Sequence, residues 1–484
     1  MSTELPSTTP SYEELRRENV TLRARVAELE AALRAQVAAL QATVTALRAE
    51  LAAVQRRQQR QAAPFSTGQR VSKPKPPGRH PGEGTFAYRR VPAPEAVTGP
   101  PVEVPVTAEM CPHCGGDLSE PTVEPAWVTD LPEAPQPQVI EYRVAVCRCR
   151  RCGRVVRGTH PNVVADQYGA TAHRLGPRLL ATGHMLHYGL GVPQRKVPAI
   201  LHELAGVEVT QSALAQDAQR RTAGEVGAAY QELRTELRDA PFVHTDDTGW
   251  RVGGEPAYLM VFRSLCTTVY QIRARHRNEE VREVIPAGYR GVLCTDRGRS
   301  YDAQELAGVP QQKCLAHIQR SLSEVLVTKH GRGRSFTKQL KALLTEAQAL
   351  WRQQRAGAVP DAADRVHALE ARLTHQLRDR PLPDRDNQRL LDELGRHHDR
   401  GNLVRFLHEP QVEPTNNEAE RALRPTVIAR KVSQCSKTAG GADRFAAFAS
   451  VCQTLRQRRV GLVDGLTALF RSGQFPTPPA NCVS

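Results

Sequence analysis

The chain has 484 residues, of which 40% are hydrophobic, and a formal net charge of +15. This length exceeds one ordinary core and the hydrophobic content excludes a wholly disordered chain, so we expect about three domains. The first ten residues lack the features of a signal peptide and no apolar run could span a membrane, which predicts a cytoplasmic protein without a membrane partner. Eleven cysteines in that reducing compartment favour metal ligation or burial over a disulfide framework.

Residues 12–62 are predicted to form a coiled coil. Apolar positions from Leu15 to Val54 are spaced alternately by three and four residues, with one extra four-residue step at Leu33. Asn19 falls on the apolar seam, where a buried Asn fixes the register of a parallel dimer. This pattern predicts a homodimer or higher oligomer, and the alternative is one amphipathic helix packed on its own globule.

Positive charge is concentrated in the next segment. Residues 56–90 contain nine Lys or Arg and a single acid, Glu83. Residues 63–105 are rich in Pro and Gly and have no periodicity, so they form a basic linker. Such clustering favours a polyanion, most commonly nucleic acid, over the alternative of a solubilising charged surface.

Two paired-cysteine motifs, each followed by Gly, predict a zinc-binding module at residues 106–160. Four thiolates in two such pairs hold one structural Zn²⁺, and the Gly permits the tight turn that directs backbone amides at sulfur. His113 and Cys147 are spare candidates. The predicted ligands are Cys111, Cys114, Cys149 and Cys152. The arginines near the second pair that we expect to contact DNA phosphates are Arg148, Arg150 and Arg151.

Residues 165–238 are predicted to be helices separated by short turns. One helix should end near Gly206 and the next should begin after Thr210, a good N-cap residue. This is the outline of a helix-turn-helix DNA-binding motif, although helix pairs of this kind also occur in domains that never contact DNA.

An α/β core is predicted from residue 241 onwards. Strands are expected at residues 241–246, 257–264, 267–274, 291–296 and 311–318, with a short helix at residues 278–285. Asp246 and Asp296 fall at the carboxyl ends of predicted strands, where ligands gather in such sheets. Carboxylate oxygens meeting there would suit Mg²⁺ ions, whereas the alternative role for each Asp is to cap a following helix.

Four segments, VHTDDTGWRV, CTDRGRSYDA, CLAHIQRSL and PTNNEAERALRP, occur in this order behind the paired cysteines and the predicted coiled coil. Together they resemble transposases of the insertion sequence 66 family, over about residues 12–470. The resemblance implies a ribonuclease-H-like core of the DDE type, which uses two Asp, one Glu and two Mg²⁺ or Mn²⁺ ions. Its implied substrates are double-stranded DNA at the terminal repeats of a mobile element and at the target, with accessory proteins of the element as further partners.

Residue by residue, the resemblance assigns the catalytic and metal-binding roles to Asp246, Asp296 and Glu420. Asp247 stands where the family usually has Glu. The residues of the last segment agree with this assignment, because Glu418 and Glu420 lie about 200° apart on a helix and only one can face the sheet. That helix is predicted to begin at Asn416, behind a Thr415 cap.

Other residues of the same segments receive supporting roles. Arg421 and Arg424 are predicted to contact the DNA backbone, and solvated helix charges are the alternative. Cys314 and His317 are predicted to have a buried structural role, and His244 to fill its strand. A helical insertion at residues 320–410 is expected to separate two parts of the core, at residues 241–319 and 411–470, and its apolar stripe consists of Leu340, Leu343, Leu344, Ala347, Leu350 and Trp351.

The sequence therefore predicts a multidomain α+β protein that acts at the nucleoid as a DNA transposase. Two alternatives stay open. The first is a domesticated zinc-containing DNA-binding regulator that has lost the chemistry. The second is a metal-dependent DNA nuclease that cuts strands without joining them.

Overall fold

The computed structural model divides the chain into two units, one of residues 1–67, 159–195 and 212–484 and one of residues 68–158 and 196–211. None of the described helices is long and apolar enough to cross a lipid bilayer. The residues that the structure describes are 12–59, 92–97, 102–104, 110, 112, 114–117, 119, 137–158, 175–358, 361–433 and 435–479.

The first helix, α1, spans Tyr12–Gln59. Every side chain of α1 that the structure describes is exposed, including Leu22 and Leu29 of the predicted seam, which are 57% and 56% exposed. The described part of the seam therefore does not pack on the globule of its own chain. It forms a continuous apolar stripe on a polar helix.

The second unit contains an antiparallel hairpin of β1 (Val146–Arg148) and β2 (Val155–Arg157). The turn between them is closed by a hydrogen bond of 2.9 Å from the Gly153 amide to the Cys149 carbonyl. Gly153 has a φ of 70°, in the left-handed region that side chains with a Cβ rarely adopt. This is the tight turn expected after a paired-cysteine motif.

Two helix boundaries before the sheet lie where the sequence predicted them. A short helix, α2 (Pro177–His184), continues into one π-helical turn at Met185–Gly189. Helix α3 (Val197–Ala205) ends at Gly206, and α4 (Gln211–Ala223) begins directly after Thr210. A further helix, α5 (Glu225–Asp239), leads into the sheet.

A mixed sheet of five strands forms the centre of the first unit, in the order β5-β4-β3-β6-β7. The strand β3 pairs antiparallel with β4 and parallel with β6; β4 and β5 are antiparallel, and β6 and β7 are parallel. Gly253 and Gly254, with φ of 59° and 88°, form the two-residue turn between β3 and β4. The strands are β3 (Phe242–Val252), β4 (Glu255–Arg263), β5 (Thr268–Arg273), β6 (Val292–Thr295) and β7 (Gln311–Lys313).

Two helices cover one apolar face of this sheet. The helix α11 (Asn417–Ser433) packs on β3 and β4, and α12 (Ala439–Gln457) packs on β5. Small residues such as Ala419 and Ala446 belong to the core that these helices share with the sheet. The last helix, α13 (Leu462–Ser472), contacts α2. The catalytic candidates on β3 and α11 therefore belong to directly packed elements.

A helical region lies between β7 and α11, and it has a continuous core with β6. The expected stripe from Leu340 to Leu350 is buried there, with Trp351 partly buried against it. The Trp351 indole nitrogen donates to the Pro410 carbonyl at 2.9 Å. The helices of this region are α7 (Leu315–Thr328), α8 (Ser335–Arg355), α9 (Ala362–Leu377) and α10 (Arg385–Asp399), whereas α6 (Asn278–Arg282) lies earlier, between β5 and β6.

The prediction of a strand over residues 311–318 was wrong in its second half. The strand β7 ends at Lys313, and α7 begins at Leu315. Leu315, Ile318 and Leu322 recur at the three- and four-residue spacing of a helix, and all three are buried in the core that β6 shares with the helical region. This helical periodicity outweighs the short apolar run that suggested a longer strand.

Two further expectations need correction. Asp246 lies inside β3, since that strand continues to Val252 along β4. The helix α11 begins at Asn417, so Asn416 rather than Thr415 directly precedes it. In addition, Cys266 is disulfide-bonded, whereas Cys294, Cys314, Cys435 and Cys452 are free as expected.

Candidate active site

The register of β3 and β6 brings Asp246 and Asp296 to the same level of the sheet. His244 pairs with Cys294 in the parallel ladder, and each aspartate lies two residues further along its own chain. Because side chains two residues apart share a face of a strand, Asp246 lies on the same face of β3 as His244, whereas Asp296 directly follows the last residue of β6. The parallel ladder ends at His244 and Cys294, although β3 itself continues to Val252.

The pKa of Asp246 is strongly raised in the folded protein. Burial, the largest cause, and the negative charges of Asp247, Asp296 and Glu420 together raise its pKa from 3.8 to about 7. The backbone amide of Asp247, which donates to Asp246 Oδ1 at 2.9 Å, opposes these effects. The structure thus places both other predicted acids within electrostatic reach of Asp246, and we refer to Asp246, Asp296 and Glu420 as the acid cluster.

The two glutamates of α11 have different environments. Glu418 is engaged by Arg263 of β4 at 3.0 Å and by Arg421 of its own helix. Glu420 has no Lys or Arg partner among the described residues, and its nearest cation-forming group is His317 Nε2 at 3.8 Å. This division favours Glu420 over Glu418 as the third acid.

A glycine shapes the environment of Asp296. The Gly298 amide donates to Asp296 Oδ1 at 2.8 Å, and a Cβ added at Gly298 would lie only 2.9 Å from that oxygen. The intervening Arg297 is directed elsewhere, to Glu393 of α10 at 3.0 Å and to the Ser321 hydroxyl of α7 at 2.6 Å. The carboxylate therefore has no guanidinium partner from its own loop.

Asp247 forms a separate pair next to the acid cluster. Its Oδ1 lies 3.0 Å from His276 Nδ1, and the pairing with Asp247 raises the pKa of this histidine despite its burial. The His276 ring packs edge-on against Tyr301, which in turn lies 3.3 Å from the Thr245 hydroxyl. Because neither His276 nor Tyr301 lies in an acidic or paired pattern, sequence reasoning missed both of them, and it missed Gly298.

The remaining predicted residues of the core divide into buried and exposed groups. Cys314 is buried, as predicted, whereas the His317 side chain is 29% exposed beside Glu420 and is therefore not part of the interior. His244 is buried within its strand. Arg421 and Arg424 are exposed on α11, where they can contact a large ligand.

The cysteine hairpin has the local features of a metal ligand turn. Backbone amides of Cys152 and Arg151 directed at the Cys149 sulfur lower the pKa of this thiol. Arg150 and Arg151 are exposed, and the Arg148 guanidinium donates to the Gly153 carbonyl at 3.0 Å. Cys111 and His113 lie outside the described residues.

The described part of the chain contains no group of three or more His, Cys, Asp or Glu side chains that could hold a metal ion as placed. The donor chemistry of the acid cluster nevertheless fits Mg²⁺ or Mn²⁺, which prefer carboxylate oxygens. The negative charges of Asp247, Asp296 and Glu420, which add to the effect of burial in raising the pKa of Asp246, also favour a bound cation at this place.

The α+β core, in which Asp296 and Glu420 act electrostatically on Asp246, defines the class of protein: one with a candidate site for divalent cations. Residues 173–444, more than half of the chain and including all three acids, match the Transposase IS66 family. The chain belongs to this family of transposases, whose chemistry uses divalent metal ions and whose substrate is DNA. No curated protein matches the chain.

Proposed function

We propose that the protein binds the ends of an insertion element and catalyses metal-dependent strand cleavage and strand transfer. The observation that carries this proposal is the shared electrostatic environment of Asp246, Asp296 and Glu420, three acids that are far apart in the sequence. The five-stranded sheet, in which β4 alone runs opposite to the other four strands, supports a ribonuclease-H-like core.

Asp246, Asp296 and Glu420 would hold two Mg²⁺ or Mn²⁺ ions. Such ions activate the attacking oxygen and stabilise the leaving oxygen in displacement at a phosphodiester. The protein's own contribution is to fix three anionic groups with few competing cations, since the nearby Arg263 and Arg297 are already paired. In the proposed sequence, water attacks a phosphodiester and the bond from phosphorus to the 3′ oxygen breaks, which leaves a 3′ hydroxyl and a 5′ phosphate. That hydroxyl then attacks a phosphodiester of the target DNA, and the 3′ oxygen of the target strand leaves as the new bond forms.

DNA contacts are proposed at several basic surfaces. Arg421 and Arg424 follow Glu420 on α11, so they could contact the backbone near the scissile phosphate. Arg148, Arg150 and Arg151 of the cysteine hairpin would contact phosphates elsewhere. The basic stretch at residues 63–91 lies outside the described residues and keeps its predicted role.

Two accessory features complete the proposal. One structural Zn²⁺ would be held by Cys111, Cys114, Cys149 and Cys152. The exposed apolar stripe of α1 supports self-association through a coiled coil, which would allow two element ends to be paired.

The proposal is tested by Asp296→Asn in a cleavage assay on DNA that carries the inverted repeats flanking the coding region. We expect the wild-type protein to cut and join these ends in Mg²⁺, and the variant to lose cutting at least about 1000-fold while its DNA affinity changes less than about threefold. Asp399→Asn, at an exposed position at the end of α10, is the matched control and should retain activity.

The other outcomes identify the alternatives. Specific binding of the ends by a wild-type protein that cuts no strand would indicate a DNA-binding regulator. Cutting without joining would indicate a nuclease. Cleavage by Asp296→Asn at the wild-type rate would contradict the assignment of the acids.

A further inference from the structure

Asn416 is a fully buried residue at the junction between α11 and the central sheet. Its side-chain nitrogen Nδ2 donates to the Thr245 carbonyl at 2.7 Å, and its Oδ1 lies 3.2 Å from His244 Nδ1. Its backbone amide donates to Cys314 Sγ at 3.1 Å, and its carbonyl accepts from the Glu420 amide at 3.3 Å. One residue thus connects β3, the start of α7 and the first turn of α11.

The orientation of the Asn416 amide follows from its partners. The Thr245 carbonyl can only accept a hydrogen bond, so the nitrogen of the amide must face it and the oxygen must face His244. His244 therefore carries its proton on Nδ1. Each polar atom of Asn416 consequently has one assigned partner.

These hydrogen bonds link the two chain segments that carry Asp246 and Glu420. Thr245 directly precedes Asp246 on β3, and Asn416 lies one helical turn before Glu420 on α11. A short hydrogen bond at this point fixes how far the first turn of α11 stands from β3. Because burial excludes water from the junction, no solvent bond can replace a lost protein bond there.

We propose that Asn416, oriented by His244, is a positioning residue that sets the separation of Asp246 and Glu420 and thereby the affinity of the acid cluster for divalent cations. The inference rests on the proposed metal-dependent function of that cluster. Neither residue touches the metal or the DNA in this role. They act by positioning the carboxylates of Asp246 and Glu420.

The test uses Asn416→Ala, which removes both side-chain bonds without adding charge. A matched control exists in the helical region, because Asn387 is also buried, accepts from the Thr337 hydroxyl at 2.6 Å and donates to the Gly333 carbonyl at 2.6 Å. Asn387→Ala removes an equivalent pair of bonds near the start of α10. It therefore controls for the general loss of stability.

A second pair of variants tests the role of His244 and serves if Asn416→Ala does not fold. His244→Leu removes the donor to Asn416. His244→Asn keeps one, because an asparagine amide nitrogen can occupy the place of imidazole Nδ1. Restoration of wild-type behaviour by His244→Asn would indicate that the hydrogen bond, rather than the size of the side chain, is required.

Two readouts are measured against Mn²⁺ concentration with the full-length protein: the rise in melting temperature and the rate of strand cleavage. We expect the half-maximal concentration to increase about tenfold in both readouts for Asn416→Ala and His244→Leu, and to stay within about twofold of wild type for His244→Asn and Asn387→Ala. Cleavage by Asn416→Ala should recover at saturating Mn²⁺.

An unchanged half-maximal concentration in folded Asn416→Ala, or an equal shift in Asn387→Ala, would overturn the inference and leave the proposed function intact. An unchanged value in His244→Leu would do the same. If the wild-type protein showed neither stabilisation nor cleavage with Mn²⁺ or Mg²⁺, the proposed function would fail and this inference with it.

Discussion

Glu418 on α11 accepts a hydrogen bond from Arg263 on β4 at 3.0 Å, across the interface between the helix and the sheet. Burial opposes ionisation of this glutamate, but the bonds from Arg421 and Arg263 hold its pKa below the ordinary value. Glu420, two residues later, contributes instead to the raised pKa of Asp246. The helix therefore uses one glutamate to dock on the sheet and presents the other to the acid cluster.

This division predicts different consequences for two isosteric substitutions. Glu420→Gln should lower strand cleavage about 1000-fold with little change in stability, because it removes a ligand from a partly exposed position. Glu418→Gln should instead lower the free energy of unfolding by about 1–3 kcal/mol, because it leaves Arg263 without its partner. Urea unfolding and a cleavage assay on both variants check the prediction. If the two variants lost cleavage to the same extent and were equally stable, the prediction would be wrong.

The raised pKa of Asp246 predicts that ionisation of its carboxyl group lowers the stability of the metal-free protein. Its pKa is 3.8 ordinarily and about 7 in the folded state, so the folded protein loses stability progressively as the pH rises from about 4 to about 7, and no further above that. Asp246→Asn has no such ionisation and should be about 1–3 kcal/mol more stable than wild type at pH 8. At pH 4 the two proteins should differ little.

Urea unfolding of the wild-type protein and Asp246→Asn in EDTA, at both pH values, measures this difference. Asp399→Asn is the control, because that exposed residue lies outside the acid cluster. A stability difference between wild type and Asp246→Asn that does not change with pH would mean that the carboxyl group is not perturbed.

The cysteine hairpin predicts a bound zinc ion. Because backbone amides lower the pKa of the Cys149 thiol, this residue should be a thiolate ligand, and purified protein should contain about one zinc per chain. Cys149→Ser should reduce the zinc content at least about fivefold, whereas Cys147→Ser, in the strand before the turn, should not. Elemental analysis by mass spectrometry measures both. Metal-free wild-type protein from zinc-supplemented cells would refute the site.

The exposed seam of α1 predicts self-association. Replacing Leu22 and Leu29 together with Glu places charge in the apolar stripe and should weaken association at least about 100-fold. Ala31→Glu, outside the stripe, should leave the association unchanged. Light scattering after size-exclusion chromatography gives the mass of each variant. A wild-type protein that is monomeric at high concentration would contradict the coiled coil.

Local pattern was sufficient for several elements. The helix that ends at Gly206 and the next one after Thr210 follow from residue types whose backbone preferences are strong. The stripe from Leu340 to Leu350 follows from helical periodicity. The start of α7 at Leu315 was missed, since a short apolar run suits a strand or a helix until its packing partners are known.

Local sequence patterns predicted less of the candidate site than of the helices and strands. The motifs named Asp246, Asp296 and Glu420, but nothing in them connects His276 with Asp247, or Asn416 with His244. Those pairs join residues 29 and 172 positions apart, so they exist only after the strands and helices have packed. Gly298 was missed because its requirement comes from the nearby Asp296 oxygen.

The sequence by itself determined which residues can carry the chemistry and which short segments form helices, strands and turns, because these depend on side-chain type and on spacing along the chain. Only the tertiary structure decided that Glu418 is paired, that Glu420 joins the aspartates, and that Asn416 holds α11 against β3. Those outcomes depend on distances across packed elements and on exclusion of water, which no local pattern specifies.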